Sequence, residues 1–159
     1  MVELGVARTD ELPQLVALLT ILFSVETEFS PDYEKQTRAL EKILSDPSVG
    51  TIYVARDEGQ VVAMASLLYT VSTAEGGTVA LFEDLVVQPT HRDQGIATAL
   101  AGFAIAEARS RGVLRLTLLT DMQNERAQAL YRRLGFIDSS MAESDRNLGA
   151  ALKAVGLAK

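Results

Sequence analysis

Apolar side chains follow two different spacings in the first third of the chain. Over residues 2–7 they alternate with other side chains, which predicts a short strand. Over residues 12–23 they recur every three or four positions, which predicts a helix with one buried face, and Thr9 or Asp10 is placed to cap it. A serine and a proline at 30–31 predict the start of a second helix.

Three strands are predicted next, over residues 51–56, 60–71 and 78–87. The turn between the first two is short and contains Gly59, which suits the positive φ of a hairpin turn. A polar loop that contains glycine precedes the third strand. The pattern therefore predicts an antiparallel meander that follows two helices.

In the second half of the chain, the pattern predicts a crossover connection, in which a helix joins two strands. A helix rich in small residues is predicted from Gly95 to about residue 110, and a fifth strand over residues 113–119. A strand, a helix and a strand in this length predict that strands 78–87 and 113–119 are parallel neighbours.

Asn124 is placed to cap a last clear helix, which ends at Gly135. Residues 136–140 are a candidate sixth strand. Beyond residue 141 the pattern fades, and residues 145–157 suggest a weak helix or a frayed tail. With no repeat or linker in its 159 residues, the chain is expected to form one domain, 1–159.

The composition of the chain limits the functions that it can have. A net charge of −6 disfavours nucleic-acid binding. No apolar run approaches the roughly 20 residues of a membrane helix, and no signal peptide is recognised, so we expect a cytoplasmic protein. The chain has no cysteine and one histidine, which excludes a thiol nucleophile and a Cys- or His-rich metal site. An enzyme with this composition would position reactants and move protons, and no metal is expected.

One stretch, residues 83–100, combines features of an anion site. An apolar strand ends at Pro89, a polar loop carries Arg92, and Gly95 opens a helix. The first turn of a helix offers free N–H groups, and a glycine lets a phosphate approach them.

This stretch and a second one, residues 124–136, together resemble the two signature motifs of the GNAT family of N-acetyltransferases. Residues 92–97 match its Arg/Gln-x-x-Gly-x-Gly/Ala loop, and residues 124–136 match Asn-x-x-Ala-x-x-Leu-Tyr-x-x-x-Gly-Phe without a gap. The resemblance implies an α+β acyl-CoA N-acyltransferase fold, with a mixed, mostly antiparallel sheet of about six or seven strands and about four helices.

The resemblance also implies acetyl-CoA as co-substrate. Its pyrophosphate would bind the loop, and its pantetheine arm would bind the strand before it. The cofactor-binding residues would be Leu85, Val86, Val87, Arg92, Asp93, Gln94, Gly95, Ile96, Ala97, Thr98 and Asn124.

The acetyl-CoA-dependent reaction that the resemblance implies needs a general acid and a general base. Tyr131 is the candidate general acid, because a phenol is protonated at pH 7; packing in the core is the alternative. Glu83 is the candidate base, directly or through a water, and strand alternation puts it on the face of Leu85 and Val87, opposite Asp84. Asp84 and Glu26 are alternatives that could also contact substrate.

A histidine can act as a base near neutral pH, but the place of His91 in the phosphate-side loop favours a surface role.

The predicted reaction is acetyl transfer from acetyl-CoA to a primary amine of a small molecule or peptide, by direct attack in a ternary complex. A non-catalytic acyl-CoA-binding or regulatory module on the same fold is the alternative. The charge of residues such as Glu26 and Glu83 favours a cationic amine, and the resemblance suggests a homodimer.

Overall fold

The computed structural model describes residues 1–25, 30–121, 124–138 and 150–156. Within them lie four α-helices and seven strands. The helices are α1 (Leu12–Val25), α2 (Tyr33–Ser45), α3 (Ile96–Ser110) and α4 (Glu125–Arg133). The strands are β1 (Glu3–Val6), β2 (Gly50–Asp57), β3 (Gln60–Ser72), β4 (Gly77–Val87), β5 (Arg115–Asp121), β6 (Ile137–Asp138) and β7 (Ala150–Gly156).

The strands form one sheet in the order β1-β2-β3-β4-β5-β7-β6, antiparallel except where β4 meets β5. The predicted α+β class, the meander and the parallel pair are confirmed. Glu58 and Gly59 both have positive φ, 47° and 80°, so the predicted hairpin turn has the backbone that matches the twist of its strands.

Helices cover both faces of the sheet. On one face, small side chains of α3 (Ala101, Ala104 and Ala108) are fully buried and let the helix lie close to β2, β3 and β4. On the other face, leucines of α1 and α2 pack on residues such as Val54, Met64 and Val86. Both helices predicted near the N-terminus therefore share one side of the sheet.

A buried ion pair ties β2 to the entry of α1. Arg56 Nε lies 2.6 Å from Glu11 Oε1, and Arg56 Nη2 donates to Glu11 Oε2 at 2.9 Å and to the Val6 carbonyl at 2.9 Å. Their side chains are 5% and 2% exposed. Glu11 also accepts from the Arg8 backbone N–H at 2.7 Å, so it closes the first turn.

The predicted helix caps need correction. The first turn is capped at Arg8 rather than at Thr9 or Asp10, because Glu11 reaches back to the Arg8 N–H. The cap of α2 is Asp32, whose side chain accepts from the Lys35 N–H at 3.1 Å, and not the serine of the 30–31 pair.

β4 and β5 pair over only two positions, Ala80 with Leu116 and Leu81 with Thr117. Beyond Leu81, the described part of β4 continues along β3 alone. The two parallel strands therefore diverge, and a slot opens between them at the end where β4 runs into α3.

β4 is also bulged within this unpaired part. Ser66 pairs with Glu83 and Met64 pairs with Val86, so Asp84 and Leu85 lie opposite the single residue Ala65. Asp84 has a φ of 55°, as the extra residue of a bulge commonly requires. The bulge shifts the alternation of side chains along the strand.

The prediction for the C-terminal tail is wrong for residues 150–156. Residues 150–156 form β7, which pairs antiparallel with the whole of β5, rather than a weak helix or a frayed tail. The free edge of β5 supplies a partner, and tertiary pairing overrides the weak local preference. Of the candidate strand at 136–140, residues 137–138 form β6, and residues 139–140 lie outside the described residues, as do 145–149.

Candidate active site

A cleft of about 470 Å³ lies where β4, the loop after it and α4 meet. This volume is within the usual range for small-molecule sites. All predicted cofactor-binding residues except Gln94 line it, and so does Tyr131. Two signature stretches that are far apart in sequence therefore meet at one place.

The strand wall of the cleft is the unpaired part of β4. Val86 is buried and anchored on the α1 side of the sheet, while Leu85 and Val87 pack toward α3. Because β5 has diverged, the backbone groups of β4 on that edge have no ladder partner among the described residues. They can hydrogen-bond to an extended, amide-containing ligand.

The loop wall is shaped by Gly95, which has a φ of 76° and caps α3. A Cβ added there would meet no protein atom within 4 Å, so the position faces open space. The first α-helical bond runs from the Ala99 N–H to the Gly95 carbonyl at 3.0 Å. The N–H groups of Ile96, Ala97 and Thr98 precede it and have no acceptor within the helix.

Two charged side chains of the loop have partners. Arg92 Nε donates to the Val87 carbonyl at 3.2 Å, which fixes the arginine at the end of β4. Asp93 forms an ion pair with Arg126 of α4, across the cleft. Asp93 has a φ of 62°, so its backbone is in the left-handed region.

Gln94 is the predicted cofactor residue that the structure leaves out of the cleft. Its side chain donates to the Thr90 carbonyl at 3.4 Å and borders a smaller depression with Val2 and Asp57. The loop turns there, so successive residues face different sides.

The helix wall begins at Asn124, whose side chain accepts from the Ala127 N–H at 3.1 Å. The predicted cap is confirmed. About two turns further along, Tyr131 lies edge-to-face with Phe82 and Phe136, at centroid distances of 6.1 and 5.8 Å. Burial raises the pKa of Tyr131 to about 12, so its phenol remains protonated at neutral pH.

The structure corrects the face predicted for Glu83. Cross-strand partners point to the same side, so Glu83 shares the side of Ser66 and Met64, where α1 and α2 pack. The bulge puts Leu85 and Val87 on the opposite side, with Phe82.

Glu83 is not part of the lining of the 470 Å³ cleft. Its side chain keeps an exposed face, yet loss of hydration through burial raises the pKa of its carboxyl group. Its cross-strand partner Ser66 is buried, and the Ser66 hydroxyl has no hydrogen-bond partner among the described residues. Asp84 is half-buried at the bulge, and Glu26 lies outside the described residues.

His91 occupies the loop as predicted. Its Nε2 lies 3.3 Å from Asp57 Oδ2 and its Nδ1 lies 2.9 Å from Thr90 Oγ1, so both ring nitrogens have neighbours. It lines the cleft on the loop side.

Several lining residues were not predicted. Leu22 and Val25 of α1 contribute an apolar edge. The helical spacing over residues 12–23 had indicated only a core role for Leu22, and Val25 lies beyond that predicted stretch. Arg126 and Arg133 of α4 also line the cleft. Their position within the second signature stretch, beside a predicted anion site, was the available signal.

A model of the acetyltransferase (GNAT) family matches residues 14–136, which include both signature stretches and every described residue that lines the cleft. The chain belongs to the GNAT family of acetyltransferases. It is therefore an acetyltransferase, and GNAT enzymes use acetyl-CoA as co-substrate.

GNAT relatives act on varied substrates. The chain is 30% identical to the aminoalkylphosphonate N-acetyltransferase of Salmonella typhimurium over 137 residues, which is 86% of each chain. It is 34% identical to the mycothiol acetyltransferase of Beutenbergia cavernae over 91 residues, 57% of this chain, and spans only 29% of that longer protein.

Solved GNAT structures share the fold. The ribosomal-protein-alanine N-acetyltransferase of Brucella melitensis superposes with a TM-score of 0.79 at 25% identity, covering 98% of this chain and 99% of that one. An N-acetyltransferase of Staphylococcus aureus Mu50 gives 0.80 at 18% identity, covering 99% of both. In the described part of this GNAT chain, no helix has the length and apolar character to span a membrane.

Proposed function

We propose that this GNAT enzyme transfers an acetyl group from acetyl-CoA to the primary amine of a small molecule or peptide, by direct attack in a ternary complex. The observation that carries the proposal is the divergence of β4 from β5 beside the loop at Gly95. One slot thereby joins unpaired strand groups, free helix N–H groups and the Tyr131 ring.

The residues present suit acetyl-CoA. The edge of β4 from Leu85 to Val87, which no described strand covers, matches the amides of the pantetheine arm. The N–H groups that follow Gly95, together with Arg92, suit the pyrophosphate. The Gly95 position faces open space, which leaves room for the nucleotide end.

Tyr131 serves as the general acid in this proposal. The amine nitrogen attacks the thioester carbonyl carbon, the C–N bond forms and the C–S bond breaks. The departing sulfur takes the phenolic proton of Tyr131, and the amine gives up a proton to a base. The chain has no cysteine that could form an acyl-enzyme, which supports direct transfer.

Glu83 serves as the base. Its raised pKa brings the carboxyl group closer to the working pH of a proton acceptor. The buried hydroxyl of Ser66 beside it can hold a water, which would pass the proton from the amine to Glu83. Asp84 and Glu26 are the alternatives, and their variants belong in the same experiment.

A cationic amine is the acceptor class that the acidic groups near the strand favour. Glu83 and Asp84 would attract a positive charge at the acetyl end of the slot. The Salmonella relative takes its name from an aminoalkylphosphonate, so a zwitterionic amine of that class is the second acceptor to test.

The test measures thiol release from acetyl-CoA with a panel of amines, which includes a polyamine, a lysine peptide and an aminoalkylphosphonate. Because the protein has no cysteine, a thiol reagent reports only the product. Acetyl-CoA binding without thiol release from any amine would favour the non-catalytic module. A preference for neutral amines would contradict the cationic class.

The placement of the pyrophosphate is tested with Gly95→Glu, which we expect to abolish acetyl-CoA binding in calorimetry. Gly59→Glu is the matched control: it has a similar φ of 80° and equally open surroundings, but lies on the β2–β3 turn. Normal affinity in the Gly95 variant would contradict the assignment of the loop.

A further inference from the structure

The charges that line the cleft differ from those of the chain as a whole. The protein carries a net charge of −6. Among the described residues that line the cleft, however, Arg92, Arg126 and Arg133 are basic and Asp93 is the only acid. Such a lining attracts a polyanion. Asp93 is the acidic group of this lining, and its charge repels a polyanion.

Asp93 and Arg126 are paired with each other across the cleft. Asp93 belongs to the loop at Gly95, and Arg126 to the first turn of α4. Their side chains are 73% and 77% exposed, so water surrounds the pair. An exposed ion pair contributes little to stability, and its partners can separate at small cost.

We propose that Arg126 binds the pyrophosphate of acetyl-CoA, and that Asp93 holds Arg126 in the cofactor-free enzyme. Binding exchanges a carboxylate partner of Arg126 for a phosphate. This inference rests on the proposed function, because it takes acetyl-CoA as the occupant of the cleft.

The chemistry favours this exchange. A guanidinium forms paired hydrogen bonds with phosphate oxygens as readily as with a carboxylate, and the pyrophosphate offers more charge. The Asp93 pairing already brings Arg126 to the loop that presents the free N–H groups. The arginine therefore needs only a side-chain movement to meet a phosphate there.

Asp93 can be neutralised without disturbing the loop. Its φ of 62° is tolerated by asparagine, which has the same shape and can still accept a hydrogen bond from Arg126. Asp93→Asn therefore removes the charge and leaves the backbone as it is. Arg132→Ala is the matched control for Arg126→Ala, because it removes an exposed arginine from the same helix outside the cleft lining.

The experiment measures the Kd of acetyl-CoA by calorimetry for the wild type, Arg126→Ala, Asp93→Asn, the double variant and Arg132→Ala. We expect Arg126→Ala to weaken binding about tenfold, the effect of one exposed charged hydrogen bond, and Arg132→Ala to change it less than about twofold. Asp93→Asn should tighten binding up to about fivefold, and by less in the Arg126→Ala background.

Each contrary outcome would overturn a specific part of the proposal. Unchanged affinity in Arg126→Ala removes the ligand role, and an equal gain from Asp93→Asn in both backgrounds removes the exchange. The Arg126→Ala penalty should persist with acetyl-CoA that lacks its 3′-phosphate; a penalty lost with that ligand overturns the pyrophosphate assignment. Failure of the proposed function gives a different result, because the wild type would then bind no acetyl-CoA, or would bind it and release no thiol with any amine.

Discussion

At the scale of a single residue, the side chain of Tyr131 has two environments. Its ring packs edge-to-face on Phe82 and Phe136, which stabilises the contact between α4 and the sheet, while the same side chain lines the cleft. The sequence presented packing in the core and a general-acid role as alternatives; the packing is observed together with a place at the cleft, and the acid role stays a prediction. A substitution that keeps the ring can separate packing from proton transfer.

Tyr131→Phe is expected to lower kcat about 100-fold, because it removes the proposed proton donor and keeps the ring. The Kd of acetyl-CoA and the melting temperature should stay close to those of the wild type. Turnover is measured with saturating substrates. Unchanged kcat would remove Tyr131 from the role of general acid.

The base is tested by the pH dependence of kcat/KM. A carboxylate accepts a proton only above its pKa, and burial raises the pKa of Glu83 above its usual 4.5. Activity should therefore fall as the pH decreases through that raised value. Glu83→Gln should lower the rate and remove this acidic limb.

Asp84→Asn provides the comparison, since it neutralises the adjacent acid of the same strand. If Asp84→Asn removes the acidic limb and Glu83→Gln leaves it, the role passes to Asp84. A limb present in both variants would contradict a base on β4.

At the scale of elements, the bulge in β4 explains why alternation assigned the wrong face to Glu83. Counting from Glu83 to Val87 in steps of two assumes one residue opposite each residue of β3. Two residues, Asp84 and Leu85, lie opposite Ala65 instead. No glycine marks this bulge in the sequence, so its position could not be predicted there.

The ion pair of Glu11 and Arg56 is an element-scale contact with a measurable contribution to stability. Removal of one partner leaves the other charge buried and unpaired, so Glu11→Gln should lower the free energy of unfolding by about 3 kcal/mol. Asp10→Asn, which alters the neighbouring exposed pair with Arg8, should cost less than about 1 kcal/mol. Chemical denaturation near neutral pH measures both, and equal effects would contradict the burial argument.

The ion pair of Glu11 and Arg56 also predicts how the stability of the fold depends on pH in the acidic range. Burial opposes ionisation of Glu11, but the contacts with Arg56 and Arg8 outweigh it and lower its pKa in the folded state. This stabilisation is complete above the unfolded value near 4.5 and is lost as the pH falls through the lowered folded value. Stability of Glu11→Gln should therefore change less than that of the wild type across this acidic range.

At the scale of the whole molecule, the sequence predicted the element order through α4 and most of the residues that line the cleft, because both signature stretches carry local signals. Gly95 and Asn124 have the conformations that their residue types favour. The pairing of Asp93 with Arg126 spans 33 residues and depends on how α4 docks, so no local pattern reveals it. β7 depends likewise on the free edge of β5.

The divergence of β4 from β5 gives the molecule an internal edge strand. Edge strands expose N–H groups to solvent and invite pairing with another chain. A bound pantetheine arm would cover that edge as an extra strand does. We expect amide hydrogens over residues 82–87 to exchange with deuterium faster without acetyl-CoA than with it, while those of β2 stay equally protected. The empty enzyme would then be the form prone to strand-mediated association, and saturation with acetyl-CoA would protect it during storage.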